Sequence, residues 1–180
     1  DSLEELKGQQ VSFRIIEIGR GHRAVGSIRA VASELRKAAQ EKLWDARRHV
    51  FAADGEKCIS CLGQAWMVIA GVPPEEEAQQ CLNAVLKDVS ARKPRTPYGC
   101  HYFVEALYRA GLRSEADRTL LAYWGGAMVE KGADTFWEAF MPGDDKLSPY
   151  GDCRLNSYCH ACSCGPSYFL RNLNFKALTR

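Results

Sequence analysis

From Ile28 onward the apolar residues return in steps of three and four. Ile28, Val31, Ala32, Leu35 and Ala39 share one face and predict a helix ending near Trp44. Leu62, Ala65, Trp66, Ile69 and Ala70 repeat the pattern, and Gly71 supplies a left-handed stop. Pro73 and Pro74 followed by Glu75, Glu76 and Glu77 read as a helix start, because proline lacks the orphan N–H and carboxylates suit the positive end of the helix dipole. Ala78, Leu82, Val85, Leu86 and Val89 then mark that helix's buried face. Tyr98, Tyr102, Phe103, Ala106, Leu107 and Ala110 form the next stripe, which Gly111 ends. Ser114 with Asp117 three residues on resembles a capping box for a partner helix carrying Leu120, Leu121, Trp124, Ala127 and Met128.

Two helical hairpins in tandem follow, with stop glycines Gly71 and Gly111 spaced 40 residues apart. That period fits an open solenoid of helix pairs or a closed ring of hairpins, and periodicity alone does not choose between them. The one strand-like run is Val11 to Ile18. Residues 132–152 interrupt the helical periodicity. Gly132, Pro142, Gly143, Pro149 and Gly151 lie there among acidic and aromatic residues, which predicts a long ordered loop. A tail helix seeded at Pro166, with Tyr168, Phe169 and Leu170, closes the series.

At 180 residues the chain has room for a real core. Lys and Arg number 24 against 22 Asp and Glu, interspersed, which argues against a dedicated nucleic-acid binder. No run approaches the roughly 18 apolar residues of a membrane helix, so no membrane partner is expected. The first residues, from Asp1 to Lys7, lack the pattern of a signal peptide. Eight cysteines in a chain of long helices are expected to be reduced thiols, which favours the cytoplasm.

Two constellations carry candidate chemistry. Thr135-Phe136-Trp137-Glu138-Ala139-Phe140 sets a carboxylate among aromatic residues, an environment expected to desolvate it, raise its pKa and offer flat faces to a sugar ring. The alternative is a packed aromatic stripe with Glu138 facing water. Cys159, His160, Cys162 and Cys164, with Cys58 and Cys61 elsewhere, are the ligand types zinc prefers, but adjacent and alternating positions diverge on a regular backbone. Small buried thiols are therefore the expected reading, and no metal or other cofactor is expected. Cys58-x-x-Cys61 lacks the preceding strand of a redox motif, and His22 and His49 are expected to face solvent.

From about Lys42 to Leu170 the chain resembles the C-terminal half of the catalytic domain of family 78 glycoside hydrolases, the α-L-rhamnosidases. The resemblance rests on the run Gly63 to Gly71, on Thr96-Pro97-Tyr98 with His101-Tyr102 and Glu105-Ala106-Leu107, and on Tyr123-Trp124-Gly125. It continues through Gly132-Ala133-Asp134-Thr135-Phe136-Trp137-Glu138 and Asn156-Ser157-Tyr158-Cys159-His160 to Ser163 and Gly165-Pro166. Residues 1–41 match only loosely, and 1–180 are taken as one domain.

The resemblance implies an all-α fold of tandem antiparallel helical hairpins forming part of an (α/α)6 toroid, with a site at one rim. It implies an inverting mechanism in which one carboxylic acid protonates the glycosidic oxygen and a second carboxylate activates water. Glu138 takes the position of the general base, Trp137 borders the sugar, His160 hydrogen-bonds a sugar hydroxyl, and His101 and Tyr98 belong near the rim. The partner so implied is a carbohydrate, with terminal α-L-rhamnosides first among the substrates. Two departures stand out: His160-Ala161-Cys162-Ser163 replaces the usual His-Ala-Trp-Ser, and the acidic motif of the general acid is missing. Six hairpins need about 350 residues. An open seam is therefore expected, covered by an N-terminal half, closed by a homodimer, or belonging to a protein that binds sugar without cleaving it; the chain alone is expected to be inactive or slow. The competing reading is a helical-repeat interaction protein, stapled by zinc through Cys58, Cys61 and members of the Cys159 to Cys164 cluster.

Overall fold

A computed structural model describes residues 22–52 and 59–172. The strand-like run from Val11 to Ile18 and the thiol of Cys58 lie outside these residues. The chain divides into two compact units, residues 1–43 and 44–180. In the first, helix α1 runs His22–Leu43 and stops where the pattern predicts. Val31, Ala32 and Ala39 are half-buried, Leu35 is exposed, and Lys37 pairs with Glu41 one turn on.

The second unit opens with a two-residue ladder, β1 (Trp44–Asp45) against β2 (Val50–Phe51), pairing Trp44 with Phe51 and Asp45 with Val50. Its turn is built by Asp45, whose Oδ1 accepts from the backbone N–H groups of Arg47 and Arg48, while His49 takes a left-handed φ of 53°. The tandem hairpins follow. Helix α2 (Cys61–Ile69) packs against α3 (Glu75–Lys87), and α4 (Pro97–Arg109) against α5 (Arg113–Leu120). Without a break in the chain, α5 passes into a π-helix, Leu121–Met128. The last elements are 3₁₀ turns at Cys153–Leu155 and Ala161–Ser163, and helix α6, Gly165–Asn172.

The ends are set by local chemistry. The hydroxyls of Ser60 and Thr96 accept from the N–H groups of Gly63 and Gly99 and so start α2 and α4. Gly71 and Gly111 stand at φ 68° and 76°, and in each case the residue after the glycine donates to a carbonyl five back: Val72 to Met67 at 3.0 Å, Leu112 to Leu107 at 2.9 Å. Gly132, at φ 89°, closes the π-helical arm by the same device.

The core joins all four hairpin helices through Cys61, Ala65, Cys81, Leu82, Val85, Phe103, Val104, Leu107 and Ala116. Several details differ from the sequence pattern, among them Tyr98, which is exposed on the stripe of α4. Trp66 is exposed and Gln64 is buried in its place, because the side-chain amide of Gln64 clamps both backbone groups of Phe51. Val89 lies beyond the end of α3 and is almost fully exposed. Ser114 caps nothing: α5 begins at Arg113, with Leu112 as its unassisted cap, and Asp117 instead accepts a hydrogen bond from the hydroxyl of Tyr108. Leu121, named among the apolar residues of the partner helix, is exposed.

Candidate functional site

The long loop runs as predicted, without regular structure from residue 133 to 152. Its first stretch is tied to the later chain by backbone bonds. The Glu138 N–H donates to the Ser157 carbonyl at 2.8 Å and the His160 N–H to the Phe136 carbonyl at 2.7 Å. The Thr135 hydroxyl donates to the Tyr158 carbonyl. Residues 135–138 and 157–160 thus lie side by side, which brings Glu138 and His160, 22 positions apart in sequence, to one place.

Both carboxylate oxygens of Glu138 are held. The Tyr150 hydroxyl donates to Oε1 at 2.5 Å and the Ser157 N–H to Oε2 at 2.9 Å. These two hydrogen bonds, with the nearby His160, outweigh the slight desolvation and hold the carboxyl below the usual range for glutamate. The sequence-based expectation of a raised pKa is therefore corrected. The aromatic neighbours pack beside the carboxylate without covering it, and hydrogen bonding decides the direction. The same bond pushes the Tyr150 phenol upward.

Trp137 has other partners. Its ring stands edge-on to Tyr158, with centroids 5.4 Å apart, and 6.0 Å from Phe140. Tyr98 and His101 meet at a small separate cleft with Tyr102, Ala161, Cys162, Cys164 and Gly165. The hydroxyls of Tyr98 and Tyr102 are 2.9 Å apart. The His101 ring stacks on Phe169, 4.8 Å away, and its Nε2 lies 3.8 Å from Glu105. Burial pushes the His101 pKa down, and Glu105 opposes this only partly. The chain passes close to these rings at Gly165, where a Cβ would come within 3.1 Å of His101 Nδ1 and 3.2 Å of the Trp124 ring and the rings would have to give by a few tenths of an ångström. His160 immediately precedes Ala161, so the Glu138 group and this cleft adjoin along the chain.

The thiols divide. Cys61, Cys81 and Cys100 are buried, as expected of small hydrophobes, but Cys159 and Cys162 are exposed. Among the described residues no group of three or more His, Cys, Asp or Glu side chains is placed to hold a metal ion. Cys61 is sealed in the core with its thiol directed at the Val85 carbonyl.

Over 84% of its length the chain is similar to a rhamnosidase from Klebsiella oxytoca with rhamnose bound, at 40% identity and a TM-score of 0.77. A family 78 rhamnosidase of Bacillus sp. GL1 shares the fold over the same share at 24% identity and a TM-score of 0.67. The chain resembles a stretch of a rhamnosidase. It spans 29% and 16% of the lengths of these two proteins. No family model and no curated protein matches it. For this rhamnosidase-like chain the all-α reading by tandem helical hairpins holds. Among the described residues no helix is long and apolar enough to cross a membrane.

Sequence reasoning missed two members of the Glu138 group, Tyr150 and the backbone of Ser157. Tyr150 sits between Pro149 and Gly151, and an aromatic residue at a rigid turn is the signal that singles it out.

Proposed function

We propose that this chain is the base-bearing part of an inverting glycoside hydrolase acting on terminal α-L-rhamnosides or closely related glycosides. The observation that carries the reading is how Glu138 is held: one carboxylate oxygen accepts from the Tyr150 hydroxyl and the other from the Ser157 N–H, beside His160, bonds that favour the ionised form. A general base must be ionised and oriented before water arrives, and a lowered pKa suits the base rather than the acid. The rhamnose bound to the Klebsiella oxytoca protein supports the choice of sugar.

In this mechanism a water held by Glu138 loses its proton to the carboxylate as it attacks the anomeric carbon. His160 donates a hydrogen bond to a sugar hydroxyl, Trp137 borders the ring, and His101 and Tyr98 line the approach. The acid that protonates the leaving oxygen comes from an acidic motif outside these residues, on a preceding half of the ring or on a second copy. The alternative of a zinc-stapled interaction repeat finds no support in the placement of Cys61, Cys159 and Cys162.

The test is a titration of the full chain with L-rhamnose, followed by NMR at Glu138 and His160, with a chromogenic α-L-rhamnoside to read turnover. The expected result is saturable binding that His160→Ala weakens and Glu138→Gln leaves nearly intact. Glu138→Gln removes whatever turnover the parent shows. Absence of any rhamnose-dependent change at either residue overturns the reading.

A further inference from the structure

The two hairpins meet mainly through α2 and α4, while α3 packs on α2 and α5 on α4. A cavity of about 830 Å3 is left between α3 and α5, within the size range of small-molecule sites. Leu86 of α3, Phe103 of α4, Tyr123 of the π-helix and Met141 of the long loop give it a largely apolar lining. None of Glu138, His160, Trp137, His101 or Tyr98 lines it, so no residue assigned to the proposed reaction belongs to it.

The charged lining is one-sided, with Lys87, Lys93 and Arg118 against the single carboxylate of Glu115. Glu115 is already engaged by Arg118 at 3.3 Å. Lys93 Nζ donates to the Val85 carbonyl at 2.7 Å and the Asp88 carbonyl at 3.2 Å, neutral partners that take two of its three protons and leave its charge in place. The Asp88 carboxylate does not line the cavity and is engaged by the N–H and hydroxyl of Ser90. Lys87 adds a second ammonium in the last turn of α3. The carbonyl end of a helix carries only about half a negative charge, so a net positive charge remains beside the apolar lining.

This pairing of surfaces selects a guest. A wholly apolar molecule would bury hydrocarbon but desolvate the ammonium groups without pairing them, which is costly. A small anion would pair with the lysines and cover none of the apolar lining. A molecule with a hydrocarbon body and one carboxylate meets both conditions. We propose that this cavity binds an amphipathic monocarboxylate, its hydrocarbon body against Phe103 and Met141 and its carboxylate taken by the lysines at the end of α3.

The full chain, 13C-labelled in its methionine methyl groups, is titrated with octanoate and, separately, with octan-1-ol. The methyls report on different places, because Met141 lines this cavity whereas Met128 lines another apolar cleft beside Phe136 and Leu170. Octanoate is expected to shift Met141 saturably and leave Met128 in place. Octan-1-ol, and octanoate on the variant Lys87→Gln at an exposed position, are each expected to bind about tenfold more weakly, the loss of one charge-assisted hydrogen bond. The absence of a saturable shift at Met141 overturns the proposal, and so does equal binding of alcohol and carboxylate or an unaltered affinity in Lys87→Gln. Met141 and Met128 moving together overturns it as well, since that is general adsorption to apolar surface. A Met141 signal that moves with protein concentration before any octanoate is added has the same force, because a second copy of the chain is then the occupant.

Discussion

Gln64 is a buried polar side chain in the middle of an apolar helix face, and its replacement tests whether hydrogen bonding or packing holds the 44–51 hairpin. Its Oε1 accepts from the Phe51 N–H at 2.7 Å and its Nε2 donates to the Phe51 carbonyl at 2.9 Å. Both residues are buried, Gln64 at 2% exposure and Phe51 at 5%, so water cannot replace the lost partners. Gln64→Leu removes two hydrogen bonds and strands one donor and one acceptor. At about 1 to 3 kcal/mol for each stranded group, partly offset by the added apolar contact, the expected loss is about 2 to 4 kcal/mol. For a unit of this size that is a fall in Tm of about 10 °C. Urea unfolding followed by circular dichroism measures the loss, and hydrogen exchange at the Phe51 amide locates it. Gln64→Glu adds a pH test. Its carboxylate is buried against the Phe51 carbonyl, so its folded pKa is raised above the unfolded value. The stability it contributes is therefore present at low pH, where the protonated group donates, and is lost as pH rises through the folded pKa. The reasoning is refuted if Gln64→Leu unfolds within about 0.5 kcal/mol of the parent with an unchanged m-value and Phe51 keeps its protection.

Tyr150→Phe removes the larger of the two hydrogen bonds that favour ionised Glu138, so the Glu138 pKa is expected to rise, read as an upward-shifted carboxyl 13C titration; an unmoved midpoint means that Tyr150 does not hold the carboxylate. His101 is held neutral by burial, with a folded pKa below the unfolded one. It therefore contributes stability that is intact above the unfolded histidine value near 6.5 and is lost as pH falls through the folded pKa, and His101→Gln is expected to flatten the acid side of a stability–pH curve. Under native conditions a thiol reagent followed by peptide mass mapping is expected to label Cys159 and Cys162 first. Cys81, whose pKa burial pushes up to about 12, should react only on unfolding, and early labelling there would contradict the core assignment. Leu107→Ala, at a fully buried position, is expected to cost about 2 to 5 kcal/mol in the same urea assay.

The helices were legible because their signals are local. A 3.6-residue stripe, a Pro-Glu start and a glycine stop each act within one turn, and α3 begins, and α2 and α4 end, close to where those signals sit. What could not be read involves partners distant in the chain. Gln64 is buried because of Phe51, 13 residues earlier, and Asp117 is drawn away from capping by Tyr108, nine residues earlier. The Asp45 turn makes a small hairpin of a stretch with no strand periodicity. Glu138 illustrates the same limit at the candidate site. Its aromatic neighbours in sequence suggested desolvation, whereas its direction of titration is set by Tyr150 and Ser157, which only the pairing of two loop stretches brings near.

The π-helix after α5 has a consequence for how this chain can change length over generations. An i→i+5 ring takes in one residue more than an i→i+4 ring, so Leu121–Met128 carries a surplus that an α-helix of the same reach would not. In α2 or α4 a one-residue deletion swings every downstream side chain to another face, but here it converts wide turns into ordinary ones. Gly125 and Gly126, neither of which is crowded by neighbours closer than 3.8 Å, are the cheapest residues to lose. Single-residue gaps among homologous sequences should accordingly gather in this arm. A chain lacking Gly126 should fold with Leu120 still buried, where the same deletion at Ala65 should not.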